Sequence, residues 1–149
     1  MNIFRIASVV SVFLMMVGCA GTPISISKTS PTSNELQTAG VGDVFFSKEE
    51  MNGEDNGFGS VFNGNAYKFD LTVVSASETK IALEYNEYMK PIAGEYGGYR
   101  KDEAWLIKDK FTKRFDYELA DSNKTISYKK YKFKIAKVND GQIEYMRIE

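Results

Sequence analysis

Between residues 67 and 85 the side chains alternate in character. Tyr67, Phe69, Leu71 and Val73 are separated by Lys68, Asp70 and Thr72. After Ser75-Ala76-Ser77-Glu78 the pattern resumes, with Ile81, Leu83 and Tyr85 set among Lys80, Ala82 and Glu84. A period of two puts one face of each arm in an apolar interior and the other in water, whereas a helix needs apolar residues three and four apart. Two such arms around a short polar turn predict an antiparallel hairpin.

The C-terminal part repeats the arrangement. Tyr131, Phe133 and Ile135 alternate with Lys130, Lys132 and Lys134; Asn139-Asp140-Gly141 is a turn signal; Ile143 and Tyr145 then continue an apolar face. Between the hairpins, extended segments are expected at Asp43–Ser47, 58–62, Trp105–Ile107, 111–119 and Thr125–Tyr128. No convincing helix of about ten residues follows the N-terminal segment, so the fold class is all-β, an antiparallel barrel or sandwich of about 7–9 strands. Lysines at 124, 129, 130, 132, 134 and 137 make the last third the most basic part of the chain. They read as a solvated strand face or as the guard of a strand edge, ahead of a stripe for anionic lipid or glycan.

The segment before the domain has a different logic. Residues 1–5 carry one positive charge, Arg5; residues 6–17 are almost wholly apolar; Gly18-Cys19-Ala20 follows. That is the layout of a secretory signal peptide, too short to span a bilayer, which takes about 20 apolar residues. Met16-Val17-Gly18-Cys19 resembles the lipobox of bacterial lipoproteins, with Met16 where the family usually has leucine. The resemblance implies cleavage after residue 18 and lipid on the sulfur and new amino group of Cys19. Cys19 is the only cysteine, and lipidation accounts for an unpaired thiol in an exported chain. Two or more acyl chains give stable anchoring. In enterobacterial lipoproteins an Asp after the cysteine favours the inner membrane; Ala20 here points to the outer membrane. Residues 19–39, rich in Ser, Thr, Pro and Asn, are expected to be a flexible tether, with a short edge strand at Ile24–Ser27 as the alternative, and the single β-domain to cover 40–149. The 81–88 run and the 131–148 segment are also similar to parts of uncharacterised small bacterial envelope proteins, a likeness that carries no activity with it.

Composition narrows the chemistry. There is no histidine, which removes the commonest general base and the commonest metal ligand, and Cys19 is committed to the anchor. No cofactor or metal site is expected. The acidic, Gly/Asn-rich stretch 48–57 lacks calcium-loop spacing and reads as a solvated loop. The net charge is −1, and loss of Arg5 makes it one unit more negative, so nothing electrostatic points to nucleic acid. Ten Phe, nine Tyr and one Trp are enough to fill a core without disulfides.

One internal stretch, 89–103, has no periodicity and holds Pro91 and three glycines. It brings Tyr96, Tyr99 and Arg100 close to Trp105, residue types enriched at binding hot spots. These four are the candidate partner-binding residues; the competing reading makes the tyrosines a cover for one end of the core. The resulting expectation is a membrane-anchored envelope lipoprotein, not an enzyme, whose β-domain binds another protein: an envelope complex, a secretion component, or a toxin or lysozyme that it neutralises. The alternative is a binder of a small ligand, lipid or glycan, in the interior or at Tyr96, Tyr99 and Trp105. Third is a carboxylate-dependent hydrolase, whose best candidates, Asp116 and Glu118, have the spacing of a solvent face. No catalytic residue is assigned.

Overall fold

The computed structural model describes residues 21–55, 60–62, 66–90, 104–108, 112–120 and 124–149. In chain order the strands are β1 (Thr22–Ser30), β2 (Leu36–Gly40), β3 (Val44–Asp55), β4 (Ser60–Val61), β5 (Tyr67–Ala76), β6 (Lys80–Met89), β7 (Leu106–Ile107), β8 (Lys113–Glu118), β9 (Thr125–Tyr128), β10 (Tyr131–Asn139) and β11 (Gln142–Arg147).

Both expected hairpins form. β5 and β6 pair from Lys68↔Tyr88 to Ala76↔Ile81, and β10 and β11 pair from Phe133↔Arg147 to Asn139↔Gln142. The second closes through Asp140 and Gly141, both at positive φ (29° and 82°), which a tight hairpin turn requires and which Asp and Gly tolerate. Around these hairpins the strands form two antiparallel sheets. The larger runs β1-β3-β5-β6-β7, with β4 on β3 and β8 on β6; the smaller runs β2-β11-β10-β9. The arrangement is sandwich-like, not a closed barrel. Among the described residues there are eleven strands, and the two beyond the expected number are β1 and β2, which fall in the segment expected to be a tether.

The main core lies between the sheets. Phe45, Phe46, Phe69, Leu71, Ile81 and Leu83 come from the larger; Phe133, Ile135, Ile143 and Tyr145 come from the smaller. Consecutive phenylalanines can both point inward because β3 carries a bulge between Val44 and Phe46, opposite Thr72 and Leu71. The bulge takes Phe45 out of the pairing with β5, and the Tyr145 hydroxyl, from the facing sheet, donates to the Phe45 carbonyl while its ring stacks on Phe45 at 4.0 Å. Tyr145→Phe keeps the ring and leaves that buried carbonyl without its partner. The expected loss is about 1–2 kcal/mol, read from urea unfolding, against little or none if the hydroxyl only fills space.

The tether expectation is overturned. Residues 22–30 are a full strand, paired with β3 from Thr22↔Asp55 to Ser30↔Ser47, and 36–40 form the edge of the smaller sheet on β11. The folded domain therefore begins by Thr22, not at 40. Composition misled because Ile24 and Ile26 need only one apolar face to bury; the serines between them face water at no cost. The same pairing turns 48–55, expected as a loop, into the last eight residues of a twelve-residue strand. That half builds a smaller apolar cluster of Met51 and Phe62, flanked by Ile24, Ile26, Ala66 and Trp105.

β10 lies between β9 and β11, so its lysines do not guard an edge. Lys132, Lys134 and Lys137 form the solvent face of an interior strand, and Lys132 meets Glu149 at 2.7 Å. Leu106 and Ile107, in the segment expected to be extended, form β7 and are half exposed.

Candidate functional site

Of the residues singled out in the sequence, Tyr96, Tyr99 and Arg100 lie outside the described residues, as do Cys19 and the rest of the leader. Trp105 is described. It is partly buried, packs against the Met51–Phe62 cluster, and has the ammonium of the buried Lys90 at 5.0 Å from its ring. In the described part of the fold it therefore acts as a lid on the smaller core.

Two surface features remain. The first is the outer edge of the larger sheet. Among the described residues β1 pairs only with β3, so its other side has no strand neighbour. On the outward face Lys28, Glu49 and Lys68 line up across β1, β3 and β5, and Lys68 continues the row over the Tyr88 ring at 4.8 Å. A shallow groove of about 570 Å³ runs there, lined by Ser27, Lys28, Ser30, Ser47, Glu49 and Lys68. The far side of the same sheet contrasts with this. There β8 reads Lys-Arg-Phe-Asp-Tyr-Glu, and its charges deter pairing, with Lys80 only loosely bridged to Asp116 (3.6 Å) and Glu118 (3.7 Å). Between Thr22 and Ser27, β1 has no charge at all.

The second feature is an aromatic cup of about 240 Å³ where the open ends of β5 and β6 meet β8 and the β9–β10 turn, lined by Tyr85, Glu87, Lys113, Phe115, Tyr128 and Lys129. The turn is two residues, Lys129-Lys130, with Tyr128 paired to Tyr131. Lys129 takes φ +52°, a left-handed conformation that Gly or Asn usually supplies. It places the Lys129 ammonium over four rings: 4.8 Å from Phe69, 5.4 Å from Tyr128, 5.7 Å from Tyr67 and 5.9 Å from Tyr85. Ring faces are negative, so the arrangement favours the cation.

A polar chain runs along the rim. Lys129 donates to the Tyr67 hydroxyl at 3.2 Å, and the Tyr67 and Tyr85 hydroxyls meet at 3.3 Å. Tyr85 donates to Glu87 at 3.3 Å, and Lys108 donates to the other Glu87 oxygen at 2.8 Å. With the Tyr85 proton committed to Glu87, Tyr67 is the donor to Tyr85. Burial, and then the Tyr67 hydrogen bond, push the Tyr85 phenol well above its ordinary range. Burial, with help from neighbouring Tyr67, Tyr117 and Glu87, pushes Tyr128 up to about 12.

Tyr145 is likewise raised to about 12, by burial alone. Unfolded tyrosine ionises near 10, so between about pH 10 and 12 the unfolded chain releases protons that the fold retains. Stability is then complete below about pH 10 and falls as pH rises through 12. The expected result is a urea midpoint that drops between about pH 9 and about pH 11. The Tyr145→Phe variant should show a shallower drop; an equally steep drop in that variant would contradict this.

On the opposite face of β5 and β6, Asn86 donates to the buried Asp70 at 3.2 Å, and Thr72 lies 3.4 Å from both. Among the described residues no three His, Cys, Asp or Glu side chains gather as metal ligands would, and no helix is long and apolar enough to cross a membrane.

No family model matches the chain, and neither the curated proteins nor the solved structures contain a match. The aromatic cup was not found by sequence reasoning. Its one local signal is Tyr128-Lys129-Lys130-Tyr131, a hairpin turn with no Gly, Asn or Asp.

Proposed function

We propose that the chain is a membrane-anchored bacterial envelope lipoprotein whose β-domain binds another protein without catalysis. The anchor rests on the lipobox-like Met16-Val17-Gly18-Cys19 and the apolar run before it. The observation that carries the binding role is β1, a nine-residue edge strand with a single charge, Lys28, and no second neighbour among the described residues. An edge of this kind is a template onto which an extended segment of a partner adds as a further strand. Main-chain bonds would supply affinity, and the row Lys28, Glu49 and Lys68 would discriminate among partners.

The test is affinity purification of the tagged full-length protein from its native envelope, with two altered copies alongside. One carries Ser25→Lys and Ser27→Lys, adding the charges that the edge lacks. The other replaces residues 94–104 by a Gly/Ser segment and keeps Trp105, which the smaller core needs. A partner lost with the lysines alone supports addition at β1. Loss with the 94–104 replacement alone moves the site to that segment. Absence of any reproducible partner overturns the protein-binding role. Incorporation of a tagged fatty acid that vanishes in Cys19→Ser supports the anchor, and its absence in the parent protein removes it.

A further inference from the structure

We propose that the aromatic cup at the β9–β10 turn binds a single pyranose ring bearing a carboxylate, a site separate from the β1 edge and independent of any protein partner. The argument starts from size. At about 240 Å³ the cup is below the roughly 300–1,000 Å³ of sites for drug-sized ligands, so it takes one ring and not a chain. It is also a depression between two sheets, whose walls belong to different strands and are fixed by ring contacts. Tyr128 meets Phe69 at 5.5 Å, Tyr85 at 6.1 Å and Phe115 edge-on at 5.6 Å. A preformed aromatic wall suits the C–H face of a sugar, whose slightly positive hydrogens meet the negative ring faces.

Charge then selects among rings. Two lysines, Lys113 and Lys129, line the cup with one carboxylate, Glu87, and that carboxylate is already bridged by Lys108 at 2.8 Å, although the chain as a whole carries a net charge of −1. The ring faces already hold the Lys129 cation, so a second cation is disfavoured. An anion, in contrast, finds two exposed lysines, Lys113 and Lys129, the second with donors left after its bond to Tyr67, and charge-assisted hydrogen bonds are the stronger kind. The Glu87 carboxylate, on the same rim, has lone pairs left to accept hydrogen bonds from ring hydroxyls.

The backbone supports a working role for Lys129. Left-handed φ at a non-glycine residue is strained, and such positions concentrate at functional sites. A two-residue turn could have used Asn-Gly without strain. The lysine there delivers a cation to the mouth of the cup, which neither of those residues could do.

The experiment is titration of the isotopically labelled protein with galacturonate, galactose and acetate, following the aromatic resonances by NMR. The expected result is a saturable shift of the Tyr85, Phe115 and Tyr128 rings with galacturonate, with galactose and acetate each at least about ten-fold weaker, the weight of roughly one good polar contact. In Lys129→Met, which keeps the aliphatic stem, and in Lys113→Met, galacturonate should lose about ten-fold while the remaining spectrum stays folded. Equal response to galacturonate and galactose would remove the anionic part of the proposal. Acetate binding as tightly as galacturonate would leave an anion site with no ring specificity. No saturable shift with any of the three, or tighter binding of galactose once Lys129 is neutral, would overturn it and make Lys129 a plug for its own cage.

Discussion

Phe46→Ala is expected to lower the unfolding free energy by about 3–5 kcal/mol, the largest single-residue effect in the molecule. The ring is fully buried and touches Phe69 at 5.8 Å, Tyr131 at 4.5 Å and Phe133 at 5.2 Å, so it ties the two sheets together. Its neighbours cannot close the gap easily. Phe45 precedes it on the same bulge and is already held by Tyr145, so the backbone cannot slide to refill the space. Domains of this size have about 5–15 kcal/mol in hand, so the variant stands near the edge of folding. Urea unfolding followed by circular dichroism checks it: the midpoint should fall with the slope unchanged. A loss below about 1 kcal/mol would mean that the core tolerates a void there, contrary to close packing of facing sheets.

Phe62→Ala should produce a loss of about 3 kcal/mol that is felt locally. Phe62 is fully buried, but in the smaller cluster with Met51, under Ile24, Ile26 and Trp105, away from the residues that join the two sheets. The strand that links the clusters is β3, whose first half faces the main core and whose second half pairs with β1 and β4. Amide exchange in β1 and in residues 48–55 is therefore expected to accelerate strongly. Protection in β10 and β11 should change little, because they contribute nothing to that cluster. A uniform loss of protection would show instead that the domain opens as one unit.

The two hairpins were legible because their inner and outer faces differ residue by residue, as in Tyr67-Lys68-Phe69-Asp70 and Tyr131-Lys132-Phe133-Lys134. β1 was not, because Thr-Pro-Ile-Ser-Ile-Ser has the composition of a linker, and only its partner strand, 25 or more positions away from the two isoleucines, shows that they pack against an apolar cluster. β3 was read to a third of its length for the same reason: the acidic, glycine-bearing stretch at 48–55 is strand only because β1 lies beside it. The choice between barrel and sandwich rested on pairings between distant segments, such as β2 with β11, that no local pattern encodes. Trp105 was identifiable as a large aromatic near a glycine-rich stretch, but its place over Met51 and Phe62 depends on the second cluster. The cup assembles side chains from β5, β6, β8 and the β9–β10 turn, so no window of sequence contains it.

The early start of β1 changes how an attached lipid would hold this protein. Gly21 is already seated against the domain: a β-carbon there would lie 3.1 Å from that of Glu54 and 3.4 Å from the Asp55 carbonyl oxygen. With lipid on Cys19, only Ala20 stands between the anchored residue and that seat. Two steps of extended chain cover about 7 Å, so the body would have almost no standoff from the headgroups. Such a protein does not sweep a volume above the bilayer as a leashed one does. Anchored in that way, it would skim the surface with the Thr22–Asp55 end down, and anything it captured would have to come within reach of the leaflet.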